Sequence, residues 1–145
     1  MTSSHPILLA TVLDATDARA LAEFYRQLLG LSYRPGDEPP PAGEPDPQGE
    51  DWLVLAGPGG SPRLAFQPVA ELAPSTWPDA TVPQQLHLDM GVPTIEALAE
   101  QHERALALGA RLLQDRSTDP DEPLYVDSDP AGHPFCIFVA PSAAG

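Results

Sequence analysis

Short apolar runs alternate with polar punctuation along this chain, and the order of the runs predicts its elements. Residues 7–13 are apolar and partly β-branched, and they lead into Asp14, Ala15, Thr16 and Asp17, a cluster rich in helix-capping side chains; a strand followed by a helix start is expected. Leu21, Phe24, Tyr25 and Leu28 then recur at the spacing of one helical face, Arg19, Glu23 and Arg26 fall elsewhere, and Gly30 supplies the stop. Over residues 34–51 the periodicity vanishes among prolines and carboxylates, which predicts a mobile loop. Residues 52–55 and 63–67 flank Gly57, Pro58, Gly59 and Gly60 and read as a hairpin. A second proline-punctuated connection covers about 68–83.

The second half repeats this plan. Residues 85–90 read as a strand, Thr94 as a helix cap, and Ile95, Leu98, His102, Ala105 and Leu106 as one helical face that ends at Gly109. Residues 124–127 and 135–139 form another hairpin around Asp129, Pro130, Ala131 and Gly132. The tetrapeptide Ala20-Leu21-Ala22-Glu23 recurs as Ala97-Leu98-Ala99-Glu100 at the same place in its helix, and Leu29-Gly30 is matched by Leu108-Gly109. Matched strands, helices, stops and hairpins make an internal duplication the better account than chance. The expected architecture is α+β, two tandem βαβββ modules, at about 6–70 and 84–140, within a single domain of residues 1–145, with a proline-rich acidic loop at about 35–50.

This duplicated plan, with Phe24-Tyr25 and Leu29-Gly30-Leu31 in the first module and Asp129-Pro130-Ala131-Gly132 before the last strand, resembles the vicinal-oxygen-chelate superfamily of glyoxalases, bleomycin-resistance proteins and extradiol dioxygenases. Residues 85–90 and the stretch Gly132-His133-Pro134-Phe135-Cys136 are most similar to its glyoxalase-like domain branch. The resemblance implies curved mixed sheets that enclose a ligand cavity. It also implies, in the family's enzymes, one metal ligand on the first strand and one on the last strand of each module, drawn from His, Glu or Gln. On the second module these positions fall on His87 and Cys136. The shared ALAE offset carries the first to Ala10, which has no donor atom, and aligning Pro62 with Pro134 carries the second to Leu64, or to Gln67 if the alignment slips. A divalent catalytic site needs about three suitable ligands. One secure candidate and two doubtful ones lead to the expectation of no catalytic metal and no cofactor; His5, in the N-terminal tail, His102, on a helix, and His133, in a turn, do not help.

Length and composition narrow the rest. A chain of 145 residues can bury a core without staples. One cysteine allows no internal disulfide, and with no secretory pattern and no apolar run approaching the roughly 20 residues of a membrane span, a cytoplasmic protein is expected. Twenty-one acidic against seven basic residues give a net charge of −14, which repels phosphate backbones and anionic lipid, so neither nucleic acid nor membrane is an expected partner. The same charge suits a cationic small organic ligand or serves only to keep the surface soluble. Homodimers occur within the family, but no residue here specifies one.

The candidate ligand-binding residues are His87, Asp89, Trp52, Phe66, Gln67, Tyr125, Cys136 and Phe138. His87 and Asp89 alternate on a strand and so share a face, which makes them candidate acid and base. A satisfied polar pair is the plain alternative. The aromatic residues could stack on a planar ligand or belong to the core, and Trp77 could cover an opening. Cys136 has no partner signature of a nucleophile and reads as a small packing residue. The glycine-rich 57–60 segment joins two strands and lacks the Lys-Ser/Thr and helix of a phosphate loop. The expected function is metal-independent binding or sequestration of a small molecule or antibiotic. The alternatives are a lyase or isomerase using His87 and Asp89, and a domain whose role is dimerisation or docking.

Overall fold

The computed structural model describes residues 4–143, and the chain divides between Glu71 and Leu72 into two compact units. Each unit is a βαβββ module built on a four-stranded mixed sheet that does not close on itself. The division falls inside the second proline-punctuated connection.

In the first unit, β1 (Thr11–Ala15) leads into α1 (Ala18–Leu29), followed by β2 (Ser32–Tyr33), β3 (Leu53–Ala56) and β4 (Pro62–Pro68), in sheet order β1-β4-β3-β2. The helix begins where the Asp17 carboxylate accepts a hydrogen bond from the Ala20 amide at 3.0 Å, and it ends at Gly30 with φ +66°, a left-handed conformation costly to other residues. Leu21, Phe24, Tyr25 and Leu28 are buried as their spacing predicts, with Tyr25 stacked on Phe66 of β4. The strand expected over 7–13 starts four residues later. Its parallel partner begins at Pro62, which offers no amide donor, and pairing opens at Thr11 with Leu64, so Ile7, Leu8 and Leu9 lie outside the ladder and are exposed.

The proline-rich segment is a loop, as expected, but it is fastened rather than free. Arg19 on α1 donates to both Asp46 carboxylate oxygens, at 2.8 and 3.0 Å, and to the Asp37 carbonyl at 2.6 Å. Asp37 is itself buried, accepting from the Val54 amide at 2.9 Å and pairing with Arg34 at 3.1 Å. The local pattern does not announce the pins made by Arg19 and by the Val54 amide, because these join residues 17 to 27 positions apart.

In the second unit, β5 (Leu88–Val92), α2 (Ile95–Leu108), β6 (Arg111–Arg116), β7 (Leu124–Ser128) and β8 (Pro134–Val139) form a sheet of order β5-β8-β7-β6. Thr94 caps α2 by accepting from the Ala97 amide at 3.1 Å. Leu98, His102 and Ala105 face the sheet, whereas Ile95, expected on that face, is exposed in the first turn. As in the first unit, a proline opens the last strand, and β5 starts late, at Leu88 opposite Phe135. His87 therefore precedes the strand instead of lying in it. Among the described residues no helix is long and apolar enough to cross a membrane.

Candidate functional site

Register decides what the second sheet offers to a ligand. Asp89, Cys136, Val126 and Gln114 form one cross-strand row over β5, β8, β7 and β6, and Gly91, Phe138, Leu124 and Arg116 form the row two positions along. Residues two apart in a strand share a face, so both rows look away from α2. On that face lies a cleft of about 170 Å³ lined by Leu124, Val126 and Cys136 of the sheet centre, Gln114 and Arg116 of β6, and Trp77, Gln84 and His87 of the preceding connection. Trp77 is held there because the connection packs on the β7–β8 turn. Ser75 donates its amide to the Gly132 carbonyl at 3.3 Å, and Pro74 sits so close that a Cβ on Gly132 would lie 2.3 Å from the proline Cβ.

Three chemically distinct groups meet beside this cleft. His87 Nε2 is 3.3 Å from Asp89 Oδ1, both side chains being substantially exposed, at 43% and 58%. One ligand-type atom from each of His87, Asp89 and Cys136 lies within 4.8 Å of the others. Burial pushes the Cys136 thiol up to about 11, and the facing Asp89 carboxylate pushes the same way, so at neutral pH the sulfur is protonated and a poor nucleophile. Arg116 spends its charge on Asp119, 2.9 Å away.

The face toward α2 carries a second polar group. His102 Nδ1 is 2.9 Å from Asp127 Oδ2, both residues are buried, and Tyr125 lies flat on the imidazole with ring centroids 3.7 Å apart. Asp127 Oδ1 and Ser128 Oγ are buried without a hydrogen-bond partner. The helical periodicity places His102 on a buried face but not its partner, which is 25 residues away and has no local signature.

The structure sorts the candidate residues. His87, Asp89 and Cys136 come together, and Phe138 shares their face of the sheet beside Leu124. Tyr125 does not: the alternation that turns Leu124 and Val126 to the cleft turns Tyr125 onto α2. Phe66 is fully enclosed against Tyr25 and is core, not lining. Gln67, exposed on β4, and Trp52, half-buried just before β3, belong to the first unit. Gln84, Gln114, Arg116, Leu124 and Val126 were not singled out from sequence, although the parity of 124 and 126 against 136 is a signal that could have found part of this set.

Residues 10–138 match the glyoxalase-like domain family. The chain belongs to that family. This glyoxalase-like domain is similar in structure to a glyoxalase/bleomycin resistance protein/dioxygenase family enzyme from Burkholderia phytofirmans PsJN, with TM-score 0.65 and 20% identity over 90% of this chain and 96% of that one. It is similar also to a possible glyoxalase from Bacillus cereus, at TM-score 0.61 and 15% identity over 90% and 96% of the two chains. A third similar structure is lactoylglutathione lyase from Agrobacterium tumefaciens, at TM-score 0.58 and 18% identity over 99% and 100%. At such identities the likeness speaks for the fold alone. No curated protein matches the chain.

The metal that the family implies does not fit the residues of both modules. The first strand and last strand of the first unit pair Val12 with Ala65 where the second unit pairs Asp89 with Cys136. The counterpart of Cys136 is therefore Ala65, not Leu64, because strand register and not proline alignment sets the equivalence. Ala10, Val12, Leu64 and Ala65 carry no side-chain donor, so the first unit supplies none of the four-cornered chelate at these positions.

Proposed function

We propose that this glyoxalase-like domain binds a small organic molecule in the cleft over its second sheet, without the metal chelate shared between modules. The observation that carries the reading is the cleft's composition. Trp77, Leu124 and Val126 supply apolar surface, and Gln84, His87 and Gln114 supply a few convergent polar groups, the balance by which proteins orient small ligands. The ligand is neutral or cationic: Asp89 borders the site, Arg116 is neutralised by Asp119, and the whole chain carries −14. Such a protein acts by sequestration, for which affinity is enough.

Thermal-shift titration with a chelator present, using planar aromatic amines, their neutral analogues and matched carboxylates, tests this. Amines or neutral compounds should raise the melting temperature of the wild type and not of Trp77→Ala/Gln114→Ala, and should be recovered chemically unchanged. If no compound in the three classes distinguishes the two proteins, the reading fails.

The 3.3 Å contact of His87 with Asp89 supports a second reading, a lyase or isomerase in which the carboxylate orients the imidazole for proton transfer. Under it a stabilising compound would be consumed, and His87→Ala would stop turnover while leaving binding within about tenfold.

A further inference from the structure

We propose that the first unit carries a binding site of its own, for a small organic monocarboxylate with an apolar body, at the glycine turn between β3 and β4. This goes beyond the ligand-binding reading of the second sheet and does not rest on it. The two sites share no residue and take ligands of different charge.

Three observations converge. The first is a cavity. A cleft of about 380 Å³ lies between β2 with the residues that follow it and the β3–β4 turn. That size falls within the range of roughly 300 to 1,000 Å³ usual for ligand pockets. Val54 and Ala56 of β3, with Pro35, Pro58 and Pro62, give it apolar walls.

The second is charge. Residues 24–36 and 52–70 contain no Asp or Glu, in a chain whose net charge is −14, and every residue lining the cleft comes from these two stretches. Arg34 lines the cleft and is paired with the buried Asp37 at 3.1 Å. Arg63 makes no ion pair among the described residues. Two guanidiniums therefore stand against one carboxylate, and one positive charge is left over. A single surplus charge suits a monoanion better than a phosphate dianion, and the guanidinium fork matches a carboxylate.

The third observation is the glycine that seats Arg63. Gly57 has φ −88°, which any residue adopts, so its backbone does not call for glycine. Space does. A Cβ on Gly57 would lie 2.7 Å from Arg63 Nε and 3.4 Å from its Nη2. Gly57 lines the cleft, so the missing side chain is what lets the guanidinium lie along the cleft wall. An apolar recess edged by that group offers both halves of an apolar carboxylate a partner.

Benzoate, 2-naphthoate and octanoate, with their amides and inorganic phosphate, should be titrated into the full chain by calorimetry. The tightest carboxylate should bind once per chain, about tenfold or more tighter than its own amide or phosphate, the worth of a charge-assisted hydrogen bond. Arg63→Gln, a change at an exposed residue, should remove that preference for carboxylate over amide. Trp77→Ala/Gln114→Ala should bind the carboxylate as the wild type does, so failure here and failure of the second-unit reading are separable. In amide NMR spectra the carboxylate should shift Gly57, Gly59 and Gly60. Equal affinity for carboxylate and amide in the wild type would overturn the proposal, as would no saturable carboxylate binding. Carboxylate binding that survives Arg63→Gln unchanged, or that shifts only amides of the second unit, would overturn it too.

Discussion

A buried carboxylate with one idle oxygen is the most consequential single group in the second unit. Asp127 is enclosed beneath α2, and burial pushes it up to about 6 although His102 pulls in the opposite direction. Between 3.8, its ordinary value, and about 6 the folded protein therefore holds a proton that the unfolded chain has released. The contribution of this group to stability is full below the lower value and is lost as pH rises through the higher one. Asp127→Asn should remove that loss. In urea unfolding series from pH 4 to 7, the stability difference between wild type and Asp127→Asn should shift in favour of the variant as pH rises, and a pH-independent difference would refute the assignment. His102→Ala should be harsher, costing roughly 3 to 5 kcal/mol at neutral pH, because it strands the carboxylate without its imidazole and strips the stacking partner from Tyr125.

At the scale of elements, two connections that read as featureless are positioned by a few contacts each. Arg19→Ala should cost about 2 kcal/mol, the usual worth of charge-assisted hydrogen bonds that are partly shielded, by releasing Asp46 and the Asp37 carbonyl together. Hydrogen exchange should then quicken over residues 37–49 and remain unchanged in α2. In the second unit Gly132 has φ +94° and abuts Pro74, so Gly132→Ala meets both an unfavourable backbone conformation and a steric clash. A loss of roughly 1 to 3 kcal/mol is expected. In a Trp52→Phe background the Trp77 emission should also shift, since the connection can no longer seat on the turn; unchanged emission would show that Gly132 does not set the position of Trp77. Helix limits needed no such contacts to be seen. Asp17 and Gly30, and Thr94 and Gly109, announce them because capping and positive φ are local requirements.

For the whole molecule, 21 acidic against 7 basic residues leave an excess of like charge that opposes compaction. Adding sodium chloride from near zero to about 0.15 M, where screening extends over roughly 8 Å, should raise the melting temperature. A fall would mean that pairs such as Arg19 with Asp46 outweigh the general repulsion. The duplicated plan, both helices, both hairpins and the family were legible in the amino-acid order, because periodicity, caps and turn chemistry act over a few residues. The meeting of His87 with Asp89 was legible for the same reason, since two residues of separation suffice. Other features had no local signature. The opposition of Asp89 and Cys136, the loss of Tyr125 and Phe66 to the helix-facing sides, and the late starts of β1 and β5 all follow from strand register. A one-residue slip in register turns every side chain to the other face. Amino-acid order alone thus determined which elements form and where the helices stop, and tertiary pairing decided the strand limits and which side chains share a site, because those choices depend on contacts between residues tens of positions apart.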